Sequence, residues 1–423
     1  MEKLYIYADF DWLDAPELVG ALSYESLRGT DSYGFEYDNG WLRKHGSLIL
    51  SNDLNNYPGP QYTLPGRDIF GCFSDALPDR WGRTLLNRRE QIEAAAEGRP
   101  ARRLSSFDYL IGIDDASRMG GFRFKKLSDD RFINSQDGLK IPPLTQLREL
   151  IAASKEVERS EEKNVLPERK WIAQLIKPGS SLGGARPKAS VLDDNNILHI
   201  AKFPSRKDDY DVASWEHLAH LLAKKAGINV ATTRLIAAGD NHHTLLSQRF
   251  DRTSDGKRLH FASALSLLGL TDGDNAANGH GYLDIVDFII QGCSDVETNL
   301  EELYRRVAFN IAIGNTDDHF RNHGFILTEK GWTLSPAYDL NPTTDFNQSL
   351  LINNDTNESS LSILLDSAED YMLSKSKAET IIGNVLRAFD HLPYLTARLN
   401  ISKRESDMFQ IRNRLSRLKT DFF

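Results

Sequence analysis

Asn315-Thr316-Asp317-Asp318-His319-Phe320-Arg321-Asn322 is the stretch on which the reading of this chain turns, together with Asp339 further along. Ahead of it, Leu303, Val307 and Ile311 recur at steps of four. That spacing predicts a helix running to Gly314, where a helix can stop and hand over to a polar loop. After the loop, Gly324-Phe325-Ile326-Leu327, a turn at 328–331 and Trp332-Thr333-Leu334 read as the two short strands of a hairpin, with Asp339 just beyond. Asp and Asn are common turn formers because their side chains bond nearby backbone amides, so Asp317 and Asn322 in isolation need be nothing more. The order helix, polar loop, hairpin, acid is far more restrictive than the residues alone.

Asp-x-x-x-x-Asn followed by a distal Asp is the layout of a protein-kinase active site. There, one carboxylate orients the attacking hydroxyl while an amide oxygen and a second carboxylate hold Mg²⁺ against the phosphates of ATP. Asp317 stands in the first position, Asn322 and Asp339 in the other two. The elements expected at the phosphate end lie upstream. Ser180-Ser181-Leu182-Gly183-Gly184-Ala185-Arg186-Pro187-Lys188 combines hydroxyls, paired glycines and two cations. Glycines let backbone N–H groups approach a phosphate, and cations offset its charge, although Gly-Gly is also a plain hairpin turn. Next comes Ile197 to Phe203, a strand whose Lys202 has the place of the kinase lysine that reaches the α and β phosphates. A helix at about 213–226, closed by Gly227, carries Glu216 near its start, where it would pair with that lysine or simply face the helix dipole. Leu245 to Arg252 then runs into a connection between lobes, with Gln248 and Phe250 where an adenine ring would lie. The alternative for Phe250 is a core aromatic beside exposed ions.

Composition narrows the remaining choices. The chain has 423 residues, 40% hydrophobic and 26% charged, enough for two or three domains with buried cores. A formal charge of −9 argues against general affinity for phosphate backbones, so any DNA contact is expected through a partner. Cys72 and Cys293 are the only cysteines, which leaves neither a disulfide framework nor a Cys-rich zinc site and fits a reducing cytoplasm. The stretch Met1 to Ala8 lacks the apolar core of a signal peptide, and no run reaches the length of a membrane helix.

The expected architecture is α+β. Residues 1–125 read as a small α+β domain, with Gly46 to Leu50 strand-like and a helix after Pro78; 126–170 as a polar connector; 171–252 as a β-rich nucleotide-binding lobe in the order strand, Gly-rich loop, strand, helix, strand; and 253–423 as a mostly helical catalytic lobe. A β-rich half followed by a helical half is the order of a two-lobed protein-kinase-like fold.

With these residues in view, the chain resembles the HipA family of serine/threonine kinase toxins from bacterial type II toxin–antitoxin systems. The resemblance rests on Phe73-Ser74-Asp75-Ala76-Leu77-Pro78-Asp79-Arg80-Trp81-Gly82, the Ser-x-x-Gly-Ala-x-x-Lys loop at 181–188, His199 to Phe203, Arg249-Phe250-Asp251-Arg252, Thr316 to Asn322 and Tyr338-Asp339. It implies ATP and Mg²⁺ as cofactors, Asp317 as catalytic acid/base, Asn322 and Asp339 as Mg²⁺ ligands, and Lys202 on the nucleotide phosphates. Ser181, Gly183, Gly184, Lys188, Glu216, Gln248 and Phe250 then complete the nucleotide site, with His319 and Arg321 in supporting roles. Gln248 stands where some members have Glu. The resemblance further implies autophosphorylation at Ser181, with Ser180 beside it. The implied partners are a helix-turn-helix, HipB-like antitoxin, operator DNA through that antitoxin, and a translation-related protein substrate such as an aminoacyl-tRNA synthetase. Two other functions share parts of this pattern: a small-molecule phosphotransferase, and a non-catalytic corepressor bound to an antitoxin.

Overall fold

The computed structural model describes residues 2–422 apart from 28, 65, 66, 127, 128, 130, 136–140, 177–183, 240 and 241. The chain divides into two compact units, Met1–Asp208 with Leu246–Ala262 and Asp209–Leu245 with Ser263–Phe423. This differs from the four consecutive segments expected, because an excursion at 246–262 returns to the first unit, which a linear reading cannot see.

In the first unit, strands β1 (Glu2–Ala8), β2 (Glu17–Leu27), β3 (Thr30–Tyr37), β4 (Pro60–Tyr62) and β5 (Phe122–Lys125) form a sheet in the order β4-β3-β2-β1-β5. Neighbouring strands pair antiparallel, from Glu2↔Tyr24 in β1 and β2 to Ala8↔Phe122 in β1 and β5. Strand β1 shows the period of two that makes a half-buried strand: Leu4, Ile6 and Ala8 are fully buried while the residues between them are not. In the same unit the buried rings of Phe10, Phe35, Phe70, Phe73 and Phe122 pack on one another. The helix foreseen after Pro78 is Arg80–Glu97, capped by Asp79 and ended by Gly98 at φ 65°.

Three local expectations give way. Gly46 to Leu50 is a turn after the helix Asn39–His45, with Asn56 Nδ2 donating to the carbonyls of Gly46 and Leu48 in place of strand partners. The supposed connector contains the helix Leu147–Glu162, whose Leu147, Leu150, Ile151, Ala153 and Val157 are buried. The strand expected from 171 is the helix Arg169–Ile176, because Ile172 and Leu175 face inward at helical rather than alternating spacing. Downstream, the hairpin of β6 (Lys188–Leu192) and β7 (Leu198–Lys202) pairs Lys188 with Lys202.

Arg249-Phe250-Asp251-Arg252 closes this unit with buried ions. Arg249 donates to both Asp251 carboxylate oxygens, at 2.6 and 2.5 Å, and to the carbonyls of Ser117 and Arg118. Arg252 adds a 2.6 Å bond to Asp251, and Gly120 N–H another at 2.9 Å. Burial pushes the Asp251 carboxyl up, but the two guanidinium groups outweigh it and hold it well below the usual carboxylate range. Removing one partner leaves buried charge uncompensated, so Asp251→Ala is expected to cost about 3–5 kcal/mol of stability in chemical denaturation. A folded-state pKa that is lowered contributes stability above the unfolded value. That contribution disappears as pH falls below the ordinary aspartate range, and the acid-side loss should be smaller in the variant.

The second unit is mostly helical. Its centre is Val296–Ile313, in which Leu300, Leu303, Tyr304, Val307, Ala308, Phe309, Ile311 and Ala312 are fully buried. Tyr282–Gly292 and Lys375–Ala388 lie beside it, and the expected helix at 213–226 is Val212–Lys225. The hairpin of Gly324–Thr328 and Gly331–Leu334 forms as read, with Phe325 opposite Leu334. Among the described residues no helix is long and apolar enough to cross a membrane.

Candidate active site

The helix Val296–Ile313 delivers the chain to Gly314, which ends it at φ 82°. That backbone conformation calls for glycine, and a Cβ there would lie 2.9 Å from the Arg414 guanidinium carbon, which would have to shift. Beyond it the loop is fastened on either side of Asp317. The Thr316 carbonyl accepts from the N–H and the hydroxyl of Ser349, each at 2.9 Å, and Asn315 Nδ2 donates to Asn310 Oδ1. Asp318 Oδ2 accepts from Tyr282 Oη at 2.7 Å, Asn310 Nδ2 at 2.6 Å and His323 Nε2 at 2.9 Å. Burial alone would raise the Asp318 carboxyl. The charge and hydrogen bond of His323 and the Tyr282 hydroxyl outweigh it, leaving Asp318 below its ordinary value and ionised.

Thr316 and Asp318 are therefore buried and immobilised, while Asp317 between them is exposed. Although it reaches solvent, the Asp317 carboxyl is raised above its ordinary value. Lost hydration is the main cause; the negative charges of Asp339, Asp318 and Asp345 add to it, and His319 opposes it. A carboxyl so placed is a better proton acceptor than an ordinary aspartate.

Asn322 ends a short turn at Phe320–Asn322, and its Nδ2 donates to the Asp317 carbonyl at 3.1 Å. Only the nitrogen can serve a carbonyl, so the bond fixes which way the amide points and turns Oδ1 the other way. Asp339 has a left-handed backbone at φ 56°, a conformation costly for residues other than glycine, asparagine and aspartate. Asn341 Nδ2 donates to its Oδ1 at 3.0 Å, and Tyr338 Oη donates to the Arg321 carbonyl at 2.5 Å, tying this segment to the loop. Asp317, Asn322 and Asp339 are thus brought together within one unit. Of the supporting residues, His319 is half-buried, and Arg321 makes a bidentate ion pair with Asp272 at 2.6 and 3.1 Å.

The residues expected at the phosphate end stand as follows. Ser181 and Gly183 lie outside the described residues. Gly184 has φ 99°, which only glycine adopts readily. Lys202 ends β7 and Gln248 ends the strand His243–Gln248, both partly exposed. Phe250 is half-buried with its ring 5.7 Å from that of Phe261, so packing accounts for one side of it. In the second unit Glu216 is buried in the first half of Val212–Lys225. Lys188 is 2% exposed and paired with Asp79 at 3.0 Å, with its Nζ 3.5 Å from the Gly184 carbonyl. Of the ions at 249–252, weighed as exposed, Arg249 and Asp251 are buried and Arg252 is half-buried.

Asp318, Asn310, Tyr282 and His323 were missed as the frame of the loop, and Asp79 as the partner of Lys188. Asp79 lay within a stretch already singled out, though without a role. For Asn310 the signal was an amide on the buried side of an apolar helix, where a polar group requires a partner.

Comparisons with known proteins bear on the family and the fold. A sequence model of the HipA-like C-terminal domain matches residues 180–392, and one of the HipA N-terminal domain matches 12–107. The chain is 27% identical over 225 residues to the serine/threonine-protein kinase toxin HipA of Shewanella oneidensis, covering 47% of this chain and 50% of that protein. It is 27% identical over 186 residues to a putative kinase of Haemophilus influenzae, covering 39% and 54%. The chain thus spans about half the length of these curated relatives. A putative kinase of Sinorhizobium fredii is 24% identical over 334 residues, covering 74% and 73%. Among solved structures, HipA in the Shewanella oneidensis complex of HipA, HipB and operator DNA superposes with a TM-score of 0.67 at 17% identity, covering 99% of this chain and 96% of that one. The fold is accordingly the two-lobed, kinase-like α+β fold expected. With the C-terminal family model covering half of the sequence and the N-terminal one lying ahead of it, this chain belongs to the HipA family.

Proposed function

We propose that this chain is an ATP- and Mg²⁺-dependent protein serine/threonine kinase that acts as the toxin of a HipA/HipB-type system. The observation that carries the reading is the triad of the second unit: an exposed, proton-accepting Asp317, with Asn322 oriented by the Asp317 carbonyl and Asp339 close enough to raise its carboxyl.

The donors fit the metal. Among the described residues no group of three or more His, Cys, Asp or Glu side chains is placed to hold an ion. Mg²⁺ in phosphoryl transfer needs no such cage, since it takes one or two protein oxygens and fills its shell with water and phosphate. Asn322 Oδ1 and the Asp339 carboxylate are hard oxygen donors of that kind. When bound, Mg²⁺ supplies neutralisation of phosphate charge. Asp317 aligns the acceptor serine or threonine hydroxyl and takes its proton as the oxygen bonds to the γ-phosphorus and ADP leaves. Lys202 holds the α and β phosphates, and Ser181 is the self-phosphorylated residue of the Gly-rich loop.

The proposed partners are a basic helix-turn-helix antitoxin, through which the acidic chain reaches operator DNA, and a translation-related protein substrate in the cytoplasm. Incubating the protein with γ-labelled ATP, Mg²⁺ and a cell extract should transfer label to a discrete protein and to Ser181, located by mass spectrometry. Label that appears only on small molecules would overturn the protein-kinase reading.

A further inference from the structure

The two cations that follow the glycines, Arg186 and Lys188, are both matched by carboxylates of their own unit. Arg186 pairs in bidentate fashion with Asp208, at 2.9 and 2.6 Å. Lys188 Nζ lies 3.0 Å from Asp79 Oδ2, with the two side chains 2% and 1% exposed, and 3.5 Å from the Gly184 carbonyl. The other Asp79 oxygen, Oδ1, accepts from Gly82 N–H at 2.7 Å as the cap of Arg80–Glu97. One carboxylate therefore joins the start of a long helix to the base of the Gly-rich loop, one oxygen for each. Gly184 completes the joint, since a Cβ there would stand 3.2 Å from Lys188 Nζ.

The strand register explains why a counter-charge is needed. Lys188 and Lys202 are direct partners across β6 and β7, so their side chains leave the same face of the hairpin, where like charges repel. A carboxylate on Lys188 relieves that repulsion and keeps Lys188 turned into the protein.

We propose that Asp79 is a positioning residue for the nucleotide: through Lys188 it fixes the base of the Gly-rich loop, and Lys188 is the loop's fastener rather than a phosphate ligand. The proposal rests on the kinase reading for its consequence in nucleotide binding, but the fastening itself does not.

Asp79→Asn is the decisive variant, because asparagine caps a helix as well as aspartate does while the charge facing Lys188 is lost. It is compared with Lys188→Met and with the double variant, all as full-length protein, below their melting temperatures. The readouts are the Kd for a fluorescent ATP analogue with Mg²⁺ and amide hydrogen exchange over residues 184–192. Each single variant should weaken analogue binding about tenfold, and the double variant no more than either, as expected of two residues acting through one contact. Exchange over 184–192 should quicken in both singles, and kcat at saturating ATP should hold. If Lys188→Met abolishes binding while Asp79→Asn changes neither affinity nor exchange, Lys188 is a direct phosphate ligand and the proposal is overturned. A fall in melting temperature with both readouts unchanged also overturns it, reducing the pair to general stability. If the wild type fails to bind the analogue, the kinase reading fails, and exchange over 184–192 still decides whether Asp79 fastens the loop.

Discussion

Asp317→Asn should lower phosphoryl transfer by about a thousandfold, within the range for losing a positioned general base, while nucleotide affinity stays near wild type. The residue is exposed between two buried neighbours, so the substitution disturbs little besides the carboxylate. The comparison to make is single-turnover transfer from labelled ATP alongside equilibrium binding of the nucleotide. Near wild-type transfer in the variant would remove Asp317 from the chemistry. The raised carboxyl gives a second readout. In the metal-free protein, an NMR titration should place Asp317 above the ordinary aspartate range, and Asp345→Asn should bring it down, since Asp345 contributes to the field that raises it.

The Asp339 variants separate charge from backbone. Asparagine tolerates a left-handed conformation about as well as aspartate, so Asp339→Asn should fold normally. It should bind nucleotide no better with Mg²⁺ than without, and lose at least about a hundredfold in transfer. It should also lower the Asp317 carboxyl by removing a neighbouring charge. Asp339→Ala carries the same chemical loss plus the strain of φ 56°, about 1–2 kcal/mol, visible in thermal unfolding. An Asn variant that retains the Mg²⁺ dependence of nucleotide binding would take Asp339 out of the metal site.

What could be read from the sequence was what the chain encodes locally. Apolar steps of four ending at Gly314 mark a helix and its stop, and the two apolar runs around 328–331 mark a hairpin, so the neighbourhood of Asp317 is legible in the sequence. The helix Leu147–Glu162 escaped because its buried face is thin, with Ala153 and Ser154 standing where larger apolar residues would have shown the period. The ion pairs escaped for a different reason. Nothing near Lys188 announces Asp79, and nothing near Asp251 announces Gly120, because pairing between remote residues leaves no periodic trace.

The interrupted first unit also constrains the order in which the protein can be made. Domains fold as units while the chain emerges from its N-terminal end. Here Asp115 waits for Arg258 and Gly120 N–H waits for Asp251, so the first unit remains open until the segment Leu246–Ala262 has left the ribosome. By then Asp209–Leu245 is already exposed without the residues from Ser263 onward that complete its own unit. Asp317 and Asp339 emerge later still. A product of premature termination before residue 262 therefore has neither unit closed and lacks both Asp317 and Asp339.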